Sequence, residues 1–240
     1  MSEKISILGL KVDKITMQEA LKRFEEMLQN EGLKFIVTPN SEILEAATKN
    51  DELKEIINEA DMVIPDGIGL VYASKIKGQP LRERVTGIDF SFNALHVIKD
   101  LGKKAYFLGG KPGIAEAAAE NMQKQIEGLC ICGTHDGYFK AEEENALVEE
   151  INNLNPDFLL VALGAPKQEK FIFKYKDKLN CKVAIGIGGS LDVWSGASKR
   201  APEFYQKHGL EWLYRLKSEP ERIGRVARIP VFLAKVLFDK

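Results

Sequence analysis

The residues of this chain that could do chemistry come in short polar runs between residues 38 and 192. Thr38-Pro39-Asn40-Ser41-Glu42, Pro65-Asp66-Gly67, Gly109-Gly110-Lys111-Pro112-Gly113, Gly164-Ala165-Pro166-Lys167-Gln168-Glu169 and Gly188-Gly189-Ser190-Leu191-Asp192 bring together carboxylates, amides, hydroxyls and glycines. A carboxylate held at a strand end, such as Asp66, can take a proton from a hydroxyl, which contributes about 10²- to 10⁴-fold in rate. The same Asp-Gly pair also reads as a plain turn. Gly109-Gly110 with Gly113, and Gly186 with Gly188 and Gly189, would let backbone amides approach a phosphate closely, though either run alone also reads as a tight turn. Thr38 and Asn40 read as site groups or as caps of a helix starting near Ser41. Gln168 and Glu169 read as site groups or as solvated residues of a first helical turn.

Several familiar chemistries find no footing. No P-loop run and no complete dinucleotide fingerprint on a strand-turn-helix is present. His96, His135 and His208 lie far apart, and no Asp-x-Asp pair is available to hold a divalent cation against a diphosphate. A nucleotide diphosphate would therefore have to be met by arginine: Arg84 in Arg82-Glu83-Arg84-Val85-Thr86-Gly87, and Arg215, Arg222, Arg225 and Arg228 further on.

The elements that must position these residues follow from hydrophobic period. Short β-branched runs at 33–37, 62–64, 105–108, 158–163 and 183–187 predict strands, with a sixth at 129–131. Segments of helical period at 41–49, 68–77, 88–101, 113–126, 142–153 and 167–178 predict the intervening helices. This is the pattern of an α/β, Rossmann-like fold: a largely parallel sheet flanked by helices. Residues 4–12 read as a small added strand and 17–29 as an amphipathic helix. Each polar run then follows a strand, so five strand ends build one crevice on the edge where parallel sheets bind ligands.

Composition is that of a globular protein with one large core: 240 residues, 45% hydrophobic and 29% charged. With 34 basic and 35 acidic side chains the net charge is -1, which gives no reason to expect nucleic acid as a partner. Cys130, Cys132 and Cys181 form no C-x-x-C pair and read as reduced cytoplasmic thiols. The first residues lack the apolar run of a signal peptide, and no stretch approaches the roughly 20 apolar residues of a membrane span. The balance hides an asymmetry, because residues 196–240 carry ten basic and five acidic side chains, net +5, against -6 for residues 1–195. We therefore expect an α/β body over 1–195 and a C-terminal basic amphipathic helical appendage over 196–240. Phe204, Leu210, Trp212, Leu213, Tyr214 and Leu216, then Val231 to Phe238, give that appendage apolar stripes suited to an anionic membrane surface, to the protein's own body, or to homo-oligomers.

With those residues in view, the chain resembles the WecG/TagA/CpsF glycosyltransferases, glycosyltransferase family 26. The matching runs are Thr38-Pro39-Asn40-Ser41-Glu42, Ala60-Asp61-Met62-Val63-Ile64-Pro65-Asp66-Gly67-Ile68-Gly69, Arg84-Val85-Thr86-Gly87, Phe107-Leu108-Gly109-Gly110, Gly164-Ala165-Pro166-Lys167-Gln168-Glu169 and Gly186-Ile187-Gly188-Gly189. Arg200-Ala201-Pro202 and Glu211-Trp212-Leu213-Tyr214-Arg215-Leu216 continue the match. The resemblance implies a bacterial inverting transferase, peripheral on the inner face of the cell membrane, with a UDP-sugar donor and a polyprenyl-diphosphate-linked N-acetylglucosamine acceptor. In the wall teichoic acid branch the donor is UDP-N-acetylmannosamine, the attacked group is the 4-hydroxyl and the product a β-linked disaccharide lipid; other members use a related uronic acid or another hexose. On that reading we expect Asp66 as base, Thr38 and Asn40 orienting the acceptor sugar or the base, Gln168 holding a sugar hydroxyl or the diphosphate, and Gly109, Gly110, Gly188, Gly189 and Asp192 as the UDP seat. Arg84, Arg215, Arg222 and Arg225 would face the diphosphate, with no metal or other cofactor. Two other classes share the α/β crevice. A nicotinamide-dependent oxidoreductase should carry the missing glycine fingerprint, and a non-catalytic nucleotide-sugar sensor at the membrane would have no need of Asp66.

Overall fold

The computed structural model describes residues 3–218 and 228–239. Its first element corrects the reading of one strand over residues 4–12. The segment is a hairpin of β1 (Lys4–Ile7) and β2 (Leu10–Asp13), paired antiparallel from Lys4 opposite Asp13 to Ile7 opposite Leu10. Leu8 and Gly9 turn the corner with φ of 53° and 76°, the doubly left-handed backbone of a two-residue hairpin loop. Leucine seldom accepts that conformation, so the turn carries none of the usual Asn-Gly signal. Helix α1 (Met17–Gln29) follows as expected, opened by a reciprocal capping box between Thr16 and Glu19.

The main sheet has six parallel strands: β3 (Lys34–Val37), β4 (Met62–Val63), β5 (Lys104–Gly109), β6 (Cys130–His135), β7 (Phe158–Ala162) and β8 (Val183–Gly186), in the spatial order β4-β3-β8-β7-β5-β6. All six predicted strands are present, and β6 runs four residues beyond its predicted end. Helices α2 (Ser41–Ala47), α4 (Ile68–Ile76), α5 (Gly87–Asp100), α6 (Ile114–Gln125), α7 (Glu144–Leu154) and α8 (Lys167–Lys174) occupy the predicted segments. Helix α3 (Asp51–Glu59) was not anticipated. It is short, starts at the cap Asn50 and buries only Leu53, Ile56 and Ile57.

Both faces of the sheet are covered, and the side chains of each strand divide between them. Tyr106 and Leu108 of β5 and Leu159 and Val161 of β7 join one cluster with residues of the hairpin, α2, α3, α4, α7 and α8. Their neighbours Ala105, Phe107, Phe158 and Leu160 join the other, with residues of α1, α5, α6 and α9 (Ser190–Trp194). That two-sided burial is why the strands read as continuous apolar runs. It also opens the crevice. The chain leaves β3 into α2 on one face and leaves adjacent β8 into α9 on the other, so the two connections part at the carboxyl ends of these strands.

Among the described residues after 195, the chain forms α10 (Glu203–Lys207), α11 (Glu211–Ser218) and α12 (Arg228–Phe238). Helix α12 joins the first core cluster, since Phe232 and Val236 are 0% and 1% exposed. Lys235 pairs with Glu45 of α2 at 2.8 Å, and Asp239 accepts from the Leu8 amide at 3.1 Å and pairs with Lys77. Val231, Leu237 and Phe238 remain exposed on its outer side. Among the described residues no helix is long and apolar enough to cross a membrane. The two faces of α12 should respond differently to truncation. Phe232→Ala should lower unfolding free energy by about 3–5 kcal/mol and Phe238→Ala by less than about 0.5, as read by urea titration; equal, small losses would mean that α12 does not share the core.

Candidate active site

Three strand ends and two helix N-termini meet between β3 and β8. The Thr38 hydroxyl, 8% exposed at the end of β3, donates to the Gly186 carbonyl at the end of β8 at 2.9 Å. Asn40 caps α2, its Oδ1 accepting from the amides of Glu42 and Ile43 at 2.9 and 3.1 Å, so the helix-cap reading of this residue is correct. Its side-chain NH₂ group is left to face other partners. The loop after β4 is tied to the same place, since the Asp66 amide donates to the Pro39 carbonyl at 3.1 Å. The Asp66 carboxylate is half-buried, and its Oδ2 accepts from the Gly87 amide, the first of α5, at 3.3 Å.

Two glycines make this convergence possible by what they leave out. A Cβ on Gly87 would sit 3.1–3.2 Å from three atoms of Thr38, and one on Gly186 would sit 2.5 Å from the Gln168 Nε2. A side chain at Gly186 would force the Gln168 amide to move, and one at Gly87 would crowd Thr38.

Gln168 and Glu169 are not solvated: each is 2% exposed. That alternative failed because both lie in the first turn of α8, whose start packs against β3 and β8 on one face of the sheet. The Gln168 Oε1 accepts from the Gly188 amide at 3.0 Å, and its Nε2 donates to Glu169 Oε1 at 2.8 Å. Gln168 thus fastens the β8–α9 loop, with one Nε2 hydrogen remaining. Glu169 Oε2 is buried with no hydrogen-bond partner among the described residues. Burial pushes the Glu169 carboxyl above the usual range against the lowering effect of the Gln168 bond.

The other anticipated residues are placed less directly. Gly188 and Gly189 form the turn into α9, with Asp192 half-buried in its first turn. Gly109 and Gly110 sit two strands away, at the end of β5. A Cβ on Gly109 would lie 2.4 Å from the Ala162 carbonyl oxygen, and the Gly110 amide already donates to that oxygen at 3.2 Å. Close packing on β7 thus fixes Gly109, a Cβ on Gly110 would meet Ile114 of α6 at 2.6 Å, and the Gly110 amide is already committed to Ala162.

Arg84 points to the appendage: Nη1 pairs with Glu211 Oε2 at 2.7 Å and Nη2 donates to the Gln206 carbonyl at 3.0 Å. Arg215 lies on α11, its side chain outside the described residues, as are Arg222 and Arg225 altogether. Among the described residues, no group of three His, Cys, Asp or Glu side chains converges to hold a metal ion.

Sequence reasoning missed a second polar cluster beside the first. Arg200 grips Asp89 with both terminal nitrogens, at 2.7 Å each, and its Nε lies 3.8 Å from Glu211. Asp89 also accepts from the Thr86 hydroxyl at 2.6 Å, and Thr86 caps α5. Burial pushes the Asp89 carboxyl up, but the hydrogen bonds from Arg200 and Thr86 outweigh it and hold the group below its usual range. Burial likewise works against the Arg200 charge, and Asp89, together with Glu211 and Asp66, outweighs it. The Thr86-x-x-Asp89 cap and the Arg200-Ala201-Pro202 run were both visible; nothing local said that they meet.

The buried acid gives stability a pH dependence of known sign. Because the folded protein holds the Glu169 proton above the usual value of 4.5, it binds more protons than the unfolded chain there. Stability from this group therefore falls as pH rises from that value through the raised one. Glu169→Gln should flatten that slope in urea titrations run up to about pH 8; an unchanged slope would place the Glu169 proton elsewhere.

Comparison with known proteins matches residues 5–240 to the glycosyl transferase WecG/TagA/CpsF family. An N-acetylglucosaminyldiphosphoundecaprenol N-acetyl-beta-D-mannosaminyltransferase of Staphylococcus aureus strain MRSA252 is 36% identical over 235 residues, 97% of this chain and 92% of its own. The proteins of the same name from strains MW2 and NCTC 8325 / PS 47 are each 35% identical over the same shares. The fold, the crevice and near full-length similarity agree: this chain belongs to the WecG/TagA/CpsF family of glycosyltransferases.

Proposed function

We propose that this chain transfers N-acetylmannosamine from UDP to the 4-hydroxyl of N-acetylglucosamine carried on undecaprenyl diphosphate, inverting the anomeric centre. One observation carries the reading: a carboxylate, Asp66, pinned by a helix-terminal amide in the crevice between β3 and β8 with Thr38 and Asn40 beside it. The name of the Staphylococcus aureus relatives supports the choice of sugar and acceptor.

The chemistry is one in-line displacement. The acceptor oxygen attacks the anomeric carbon while its proton passes to Asp66; the bond from that carbon to the diphosphate oxygen breaks, and UDP leaves with the electron pair. Asp66 works as base because the Gly87 amide holds one oxygen in place. Thr38 and Asn40 orient the acceptor sugar, the latter through the NH₂ that its capping role leaves over. Gln168 acts chiefly by setting the Gly188-Gly189 turn against which the diphosphate lies, with Asp192 at the uracil or ribose and Gly109-Gly110 at the far side of the seat. Charge growing on the departing UDP is met by Arg84, Arg215, Arg222 and Arg225 in place of a metal ion, and such interactions lower the barrier because they strengthen as the bond breaks. Arg84 also seats α10 and α11 beside the crevice through Gln206 and Glu211.

The lipid-linked acceptor calls for work at the inner face of the membrane. The net charge of +5 over residues 196–240 and the exposed Val231, Leu237 and Phe238 support peripheral contact through the outer side of α12.

In EDTA, UDP release that depends on the lipid-linked acceptor should fall at least about 10²-fold in Asp66→Asn, while UDP binding measured by calorimetry stays at the wild-type level. Undiminished release would remove Asp66 from the base role, and silence of the wild type with UDP-N-acetylmannosamine would point to another donor sugar. Replacing Leu237 and Phe238 by Ser should weaken co-sedimentation with anionic vesicles at least about tenfold, given of order 1.5 kcal/mol or more per buried large side chain. Unchanged sedimentation would exclude this face of α12.

A further inference from the structure

The cluster around Arg200 has no part in the chemistry described so far, yet it is connected to the base by an unbroken line of contacts. The segment from Arg84 to Asp89 enters α5, and its amide at Gly87 is the one that holds the Asp66 carboxylate. Both ends of this segment are gripped by residues that follow the α/β body. Arg84 is held by Glu211 and the Gln206 carbonyl, and Asp89 by the two-pronged contact from Arg200. Within the segment, Asp89 and Thr86 fix one another: Asp89 Oδ2 accepts from the Thr86 hydroxyl, whose oxygen accepts from the Asp89 amide at 3.2 Å. On its other side Gly87 packs closely on Thr38, where an added Cβ would stand 3.1–3.2 Å from three side-chain atoms. A shift of Asp89 is therefore passed to Gly87 and on to the carboxylate.

Arg200 is suited to this task and committed to it. Its guanidinium is largely buried, with 25% of the side chain exposed. The Nε has no hydrogen-bond partner among the described residues, so Asp89 supplies the group's close hydrogen bonds. A planar fork matched to both carboxylate oxygens fixes direction as well as distance, which a lysine ammonium cannot do.

We propose that Arg200 is a positioning residue for the transfer reaction: through Asp89 and the N-terminus of α5 it sets the orientation of the Asp66 carboxylate. The base is thus in register only when residues 196–218 are seated on the body. This rests on the reading of Asp66 as base. It adds a positioning residue that acts through Asp89 and whose charge also attracts the Asp66 carboxylate directly.

The test uses the full-length chain with Arg200→Gln, Arg200→Lys and Asp89→Asn beside Asp66→Asn. For Arg200→Gln and Asp89→Asn, kcat should fall about 10- to 100-fold, the scale of a small misplacement of a reacting group. KM for both substrates and UDP affinity should stay within about threefold. Arg200→Lys, which keeps the charge and the fold but loses the fork, should fall between these and the wild type. The backbone amide resonance of Gly87, assigned by NMR, should move in Arg200→Gln in the direction it moves in Asp66→Asn. Unchanged kcat, a loss confined to KM or UDP affinity, or a Gly87 resonance that stays in place would overturn the proposal. Wild-type turnover by Asp66→Asn would instead overturn the base reading itself, and that result is seen independently of Arg200.

Discussion

The crevice depends on the narrow gap between β3 and β8. Where the chain leaves these two strands toward opposite faces, the Thr38 hydroxyl bonds across the opening to the Gly186 carbonyl. Gly186 gives up its side chain so that Gln168 can lie against β8, and Gly87 does the same so that α5 can start against Thr38. In a close-packed interior a single added methyl group must displace something. Here it would crowd Thr38 or push aside the Gln168 amide that holds the proposed diphosphate seat. The two glycines are therefore constraints of geometry and of chemistry together.

Around that gap the molecule is built in two directions. Inward, the six parallel strands and their helices bury both faces of the sheet and give the loops a rigid edge to stand on. Outward, the residues after 195 return to the body at two places: Phe232 and Val236 of α12 enter the core, and Arg200 and Glu211 engage Asp89 and Arg84 beside the crevice. A segment that is basic and carries an exposed apolar edge is thus anchored by contacts that reach the N-terminus of α5. Contact with a surface on one side and the condition of the site on the other share one piece of chain.

Much of this was legible before any coordinates. Strand ends could be read because parallel strands are apolar throughout and stop at Gly, Pro, Asp or Asn, and the Asn40 cap follows from residue type and position alone. What escaped was of two kinds. Some features use a residue against its usual habit: Leu8 at positive φ in a hairpin turn, and Glu169 buried in a first helical turn where an acid is ordinarily wet. Others are contacts between distant parts of the chain, such as Arg200 with Asp89 at a separation of 111 residues or Arg84 with Glu211 at 127. No period, cap or turn signal encodes those pairings. The Gly109-Gly110 run carries packing demands that its sequence did not announce, Gly109 lying against Ala162 of β7 and Gly110 against Ile114 of α6.

The account turns on the crevice between β3 and β8 being the place where donor and acceptor meet. A crystal structure of the full chain with UDP tests this most directly. It should show the diphosphate against the backbone of Gly188 and Gly189, with its terminal phosphate about one sugar ring from the Asp66 carboxylate. UDP bound elsewhere, for instance in the cavity of about 500 Å³ bounded by Leu8, Val231 and Phe238, with the crevice left empty, would contradict it.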